Sequence, residues 1–159
     1  MGYQLLLNVN KKKGFLSMVP CVLVFTGESI LFAHIDKTMQ KQIMNDKKEQ
    51  MKAEGKGFLK QSVGMMKAMG EFINLYHQKS EDEILSENSM NFKLDNNKID
   101  RIIFKPVKIM YDAENQSSQT GGKLLIKANG EKIKAIHSIY DNNKAIKKYL
   151  KDVYGKAAR

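Results

Sequence analysis

The sequence predicts an α+β domain built on seven short antiparallel strands and closed by a C-terminal amphipathic helix. Three observations predict this class. Short apolar, β-branched stretches of strand-like pattern occur near both ends of the chain. A segment of helical periodicity separates these two regions, and a second amphipathic segment ends the chain. The pair Asn129-Gly130 stands between two alternating stretches, which is the strongest short-range signal of a β-hairpin.

Length and composition favour one folded domain over residues 1–159. The chain has 159 residues, of which 42% are hydrophobic and 28% charged, and these values are typical of globular domains. Cys21 is the one cysteine, so an intrachain disulfide is excluded and a reducing compartment is favoured. Because the chain shows neither a signal-peptide pattern nor an apolar stretch of membrane-spanning length, we expect a cytoplasmic protein.

The first 35 residues predict two or three antiparallel strands. A leucine-rich strand over Tyr3–Val9 is followed by a turn containing Lys11, Lys12, Lys13 and Gly14. The stretch Met18–Phe25 is nearly all apolar, and Thr26-Gly27-Glu28-Ser29 supplies turn residues before a strand over Ile30–Ile35.

Residues 36–79 predict a helical segment inserted between the third and fourth strands. Asp36 or Thr38 can cap its first helix. From Gly57 to His77 the apolar side chains form a stripe too broad for a helix that only lies on water, so the stripe must cover something. Its central aromatic and methionine residues are Phe58, Met65, Met66, Met69, Phe72 and Tyr76.

The remaining residues return to strand periodicity before the last helix. Ser80 and Glu83 form a capping box that predicts a short helix. A short strand over Asn91–Asp95 and a long one over Arg101–Tyr111 follow, with Pro106 at a bulge or edge. We expect residues 112–120 to form an exposed hairpin loop. The last elements are strands over Lys123–Ala128 and Glu131–Ser138 and a helix over Asp141–Tyr154.

Without residues 36–79, this element order resembles the pleckstrin-homology-like superfold, in the form of the bacterial PH and GRAM-type domains. The residues that carry the resemblance are the hairpin Val22–Ala33, the sequence Asn91-Phe92-Lys93-Leu94 before Ile99, and the tail from Gly122 through His137 into the final helix. The resemblance implies a seven-stranded antiparallel barrel or sandwich capped by the C-terminal helix. It also implies a binding module rather than an enzyme.

The positive net charge of the chain favours partners that carry phosphate groups. Lys and Arg number 27 against 17 Asp and Glu, which gives a net charge of +10. Only Arg101 and Arg159 are arginines, so sequence-specific nucleic-acid recognition is disfavoured. By the family resemblance, Lys11, Lys12 and Lys13 occupy the loop that binds phosphoinositides, but the second strand lacks the further basic residues. We therefore expect non-specific attraction to anionic lipid instead of inositol-phosphate recognition.

The sequence contains no pattern typical of a catalytic or metal site. The three histidines, His34, His77 and His137, are far apart and on different predicted elements, and Cys21 lies in an apolar strand. We therefore expect no enzymatic activity, no cofactor and no metal.

Two binding functions are favoured, and non-specific binding of nucleic acid, which would depend steeply on salt, is a further alternative. The first is interaction with a protein partner or self-assembly through Phe58, Met65, Met66, Met69, Phe72 and Tyr76, because flexible thioethers suit adaptable interfaces. Core packing of the same residues on the sheet is the alternative interpretation. The second function is peripheral binding to an anionic membrane through Lys11, Lys12 and Lys13.

Overall fold

A computed structural model describes residues 3–55, 71–111, 117–139 and 142–159. The chain is α+β, with a seven-stranded antiparallel sheet and a C-terminal helix, as predicted. The strands are β1 Leu5–Lys13, β2 Ser17–Phe25, β3 Ser29–His34, β4 Phe92–Asp95, β5 Ile99–Lys105, β6 Lys108–Tyr111, β7 Ser117–Thr120, β8 Gly122–Ala128 and β9 Glu131–His137. The α-helices are α1 Lys37–Ala53, α2 Glu81–Glu87 and α3 Asn143–Tyr154. Short 3₁₀ helices cover Glu71–Tyr76, Asn96–Lys98 and Gly155–Ala157.

The main sheet is open. Its strand order is β4-β3-β2-β1-β9-β8-β5, and β4 and β5 are the two edges. The barrel closure implied by the family resemblance is therefore absent from the described strands. At the β5 edge, the main chain of Arg159 exchanges hydrogen bonds with Ile102 and Phe104, so the C-terminus satisfies part of this edge.

The inner face of the sheet forms the main core. Every second residue along the strands points to this face, as the two-residue strand period requires. Examples are Leu7, Leu23, Phe32 and Ile126, which are all buried. The helix α3 closes the core with Ile146 and Leu150, which is the role predicted for the final amphipathic helix.

A second core lies on the outer face of β2 and β3. There Val24, Leu31 and Ile35 are buried together with Tyr76 of the first 3₁₀ helix and Ile84 of α2. Because both faces of β2 and β3 are covered, their sequences are almost continuously apolar instead of alternating.

Several local predictions are confirmed by hydrogen bonds and backbone angles. The Asp36 carboxylate accepts from the Met39 amide at the start of α1, at 2.8 Å. Ser80 and Glu83 form the predicted capping box of α2. Asn129 and Gly130 join β8 and β9 with φ angles of 51° and 81°, as a two-residue hairpin turn requires.

The predicted long strand Arg101–Tyr111 is divided in two. The strand β5 ends at Lys105, directly before Pro106, because proline has no N–H to donate to a neighbouring strand. The chain then forms β6, which pairs with β7 in a separate two-stranded sheet. Residues 117–120, predicted as part of a loop, are therefore a strand.

We expect Gly122→Ala to lower the free energy of unfolding by about 1–3 kcal/mol, because a methyl group there would overlap the His137 imidazole. That ring cannot easily move. It stacks on Phe104 with 4.6 Å between centroids, and its Nε2 lies 3.0 Å from the Lys105 carbonyl oxygen. Urea denaturation measures the loss, and Gly130→Ala at the β8–β9 turn provides the comparison for backbone strain alone, since open space surrounds Gly130. A Gly122→Ala protein as stable as the parent would contradict this packing.

Candidate functional site

The most unusual surface of the described chain is the tip of the β1–β2 hairpin. Lys13 pairs with Ser17, and Gly14-Phe15-Leu16 form the connecting turn. Gly14 has a φ of 74°, a backbone conformation that glycine adopts at little cost. The three lysines predicted to lie in the loop, Lys11 to Lys13, are instead the last residues of β1.

The pairing of the hairpin with its neighbouring strands ends before the tip. The pairing of β2 with β3 ends at Cys21 and His34, with one further bond from the Ile35 amide to the Pro20 carbonyl. Pro20 offers no N–H to continue that pairing. On the other side, β1 pairs with β9 only at Asn10 and Lys11. Within the described sheet, the hairpin end therefore pairs only with itself.

The tip carries large apolar side chains in contact with water. Phe15 is 95% exposed, Leu16 91% and Met18 46%. Adjacent exposed residues of this size form a small apolar patch, and such patches on a folded domain indicate a contact surface. Because Phe15 and Leu16 are almost fully exposed, packing in the core does not explain why apolar residues occupy these positions. In the sequence, this surface could have been found from the two large apolar residues that directly follow a lysine-glycine turn.

The three lysines differ in their surroundings. Lys12 and Lys13 are exposed, whereas Lys11 is partly buried. The Lys11 ammonium lies 3.1 Å from His34 Nε2 and 5.1 Å from the centre of the Phe92 ring. Burial, and then the charge of Lys11, lower the pKa of His34. The His34 ring is therefore neutral and accepts a hydrogen bond from Lys11, which leaves Lys12 and Lys13 as the cations at the tip.

The predicted methionine and aromatic surface is only partly within the described residues. Phe58, Met65, Met66 and Met69 lie outside the described ranges. Phe72 belongs to the 3₁₀ helix Glu71–Tyr76, but its side chain is also outside the description. Tyr76 is fully buried in the second core. For Tyr76 the partner-binding prediction is therefore corrected: its ring packs inside the chain.

Cys21 lies directly opposite His34 in the pairing of β2 with β3. His137 Nδ1 accepts a hydrogen bond from the Ile139 amide at 3.2 Å, and burial lowers its pKa. Burial raises the pKa of Cys21 to about 12, so its thiol is protonated and unreactive at neutral pH. His77 is exposed. The described part of the chain contains no group of three His, Cys, Asp or Glu residues placed to hold a metal ion.

Among the described residues, the helices are too short or too polar to cross a bilayer. Comparison with protein-family models, curated proteins and solved structures found no match to this chain.

Proposed function

We propose that this protein binds peripherally to anionic membranes by inserting the tip of the β1–β2 hairpin. The observation that carries the proposal is the near-complete exposure of Phe15 and Leu16 next to the cations Lys12 and Lys13. The net charge of +10 supports it, because a positive protein is attracted to the surface potential of anionic lipids.

The two parts of the tip have complementary roles. Transfer of a Phe or Leu side chain out of water is worth about 1.5–3 kcal/mol when complete. Neither insertion nor charge alone gives stable anchoring, whereas the combination of an apolar anchor and a basic patch does. The neighbouring lysines supply that second attraction at the headgroups.

The assignment of the chain to the PH-like fold is part of the same proposal. The open antiparallel sheet with its inner face covered by α3 supports a PH-like, non-enzymatic binding domain in which residues 36–79 are an insertion. The family resemblance implies lipid binding near the end of the first strand, which is where the exposed tip lies. Protein interaction through the methionine-rich residues stays a separate prediction, which light scattering on the purified chain would test.

The proposal is tested by co-sedimentation with phosphatidylcholine vesicles that contain or lack phosphatidylserine. We expect binding only to the anionic vesicles, with weaker binding as salt rises. The double substitution Phe15→Ser/Leu16→Ser should lower the partition coefficient at least about tenfold, since it removes both inserting side chains.

The matched control is Leu75→Ser/Met90→Ser, which removes two other exposed apolar side chains, 39% and 38% accessible. It should leave vesicle binding unchanged. Equal loss in both double variants, or binding that is indifferent to lipid charge, would contradict insertion through the hairpin.

A further inference from the structure

The outer face of β9, β8 and β5 is densely basic. Leu124, Ile126 and Ala128 of β8 are buried in the main core, so the alternate residues of β8 lie on the opposite side of the sheet. Residues paired across neighbouring strands share a face, and the register therefore places a group of cations on this side. We call this group, together with Lys12, the basic face: Arg101, Lys105, Lys123, Lys127, Lys132, Lys134 and Lys12.

Two exposed acids border the basic face, Asp100 directly before Arg101 and Glu131 directly before Lys132, against the seven cations of the face. The strand positions on this side that are not basic include Ile103, Leu125 and Ile136, and none of the described positions between the cations is Asp or Glu. The ion pairs Lys79–Glu87, Lys93–Glu81, Lys98–Asp95 and Lys148–Asp152 do not involve the basic face. The basic face is thus suited to an external anion.

The basic face is continuous with the hairpin tip. Lys12 lines an open depression of about 350 Å³ together with Lys134 and with Lys105 and Lys123 at its far side. Because Lys11 pairs with Ala135 in antiparallel register, the chain beyond Lys11 runs towards the start of β9 at Glu131. The tip therefore lies nearer the end of the basic face at the start of β9 than the end at His137.

Two rows of the basic face differ in their distance from the tip. The near row contains Arg101, Lys127 and Lys132, which are paired with one another across three strands. The far row contains Lys105 and Lys123, also a cross-strand pair. Along β8 the rows are four residues apart, or about 13 Å at the strand rise of about 3.3 Å per residue. That separation exceeds the screening length of about 8 Å at physiological salt.

We infer that the near row of the basic face is a second membrane contact, which lies against anionic headgroups when the hairpin tip is inserted. The inference rests on the proposed function, and it fixes how the protein is oriented on the membrane. The near row feels the surface potential, whereas screening largely removes the contribution of the far row.

The composition of the face favours lipid over other anionic partners. Lysine is depleted at protein–protein interfaces, yet it dominates this surface. Single-stranded nucleic acid is usually held by aromatic side chains on which bases stack, and the positions between these cations are aliphatic. Binding to anionic lipid headgroups requires only that positive charges lie at the level of the headgroups.

The test compares two double variants that each remove two positive charges, one from β8 and one from the residue paired with it on a neighbouring strand. Lys127→Gln/Lys132→Gln removes two near-row charges, and Lys105→Gln/Lys123→Gln removes two far-row charges. With phosphatidylserine-containing vesicles at physiological salt, the first should lower the partition coefficient about tenfold. The second should lower it less than about threefold. Thermal unfolding of all variants verifies that each remains folded.

A second readout separates this inference from the proposed function. The chain contains no tryptophan, so Phe15→Trp places a single reporter at the tip. A blue shift of its emission on anionic vesicles, and quenching by brominated lipids, report insertion. No shift and no quenching would overturn the proposed function, and with it the orientation. Insertion of the reporter, combined with equal effects of the two lysine pairs, would overturn only the near-row contact.

An oligothymidylate provides the rival ligand. If the near-row variant weakens binding of the oligonucleotide but not of the vesicles, the face serves nucleic acid and the inference is wrong. If it weakens vesicle binding selectively, the membrane contact is supported.

Discussion

The substitution Tyr76→Ala should lower the free energy of unfolding by about 3–5 kcal/mol, the range measured for large aromatic side chains removed from a core. Tyr76 is fully buried, and it packs with Leu31, Ala33 and Ile84 on the outer face of the sheet. Its loss leaves a cavity between that face and the segment that covers it. Burial also raises the pKa of Tyr76, so the hydroxyl is neutral in the folded chain at ordinary pH.

Urea denaturation measures this effect, and Tyr76→Phe is the matched control. The control retains the ring, so its stability should stay within about 1.5 kcal/mol of the parent. If Tyr76→Ala were as stable as Tyr76→Phe, the ring would not connect the 3₁₀ helix to the sheet. Tyr76 would then again be a candidate residue for partner binding.

Phe32→Ala should have a comparable effect on the opposite side of the sheet, a loss of about 3–5 kcal/mol. Phe32 is 1% exposed in the main core and stacks on Phe92, with 4.3 Å between ring centroids. Both the transfer energy of the ring and the contact with Phe92 are lost in the variant.

The same substitution at Phe15 is the control within the chain. Because Phe15 is 95% exposed, Phe15→Ala should change stability by less than about 0.5 kcal/mol. Denaturation curves of the two variants therefore separate the structural phenylalanine from the one at the hairpin tip. A large loss for Phe15→Ala would show that the tip packs against the protein and would remove the basis for membrane insertion.

Most of the local structure could be predicted because short-range chemistry specifies it. Ser80 and Glu83 cap a helix through their own side chains, and Asn129-Gly130 forms a tight turn through backbone angles that few residues adopt. The burial of Ile146 and Leu150 follows from the amphipathic pattern of α3. These signals need only a few neighbouring residues.

Long-range arrangement was harder to predict. Sheet closure depends on how β4 and β5 are placed in space, and the strand pattern is the same whether a sheet is open or closed. The end of β5 at Pro106 was within reach of the sequence, because proline was already recognised as a bulge or edge residue. The start of a new hairpin after it depended on pairing with residues 117–120, whose polar composition is typical of a loop.

In the candidate site, too, the residue types were predictable from the sequence, whereas their positions in space were not. The lysines were evident from the sequence, but their roles were not: Lys11 turns to His34 and Phe92, whereas Lys12 belongs to the outer face. Neighbouring residues of a strand point to opposite faces, so three consecutive lysines cannot act alike once they are in β1. The exposure of Phe15 and Leu16 depends on where the pairing of the hairpin with β3 and β9 ends.

The sequence by itself determined most of the strand and helix segments, the capping residues, the hairpin turn and the positive charge, because each of these depends on residue type and local spacing. Tertiary structure alone decided that the sheet is open, that Tyr76 is buried, and that the cations of β5, β8 and β9 lie side by side. Register between distant strands brings those residues together, and register is fixed by the packing of the whole sheet rather than by any short segment.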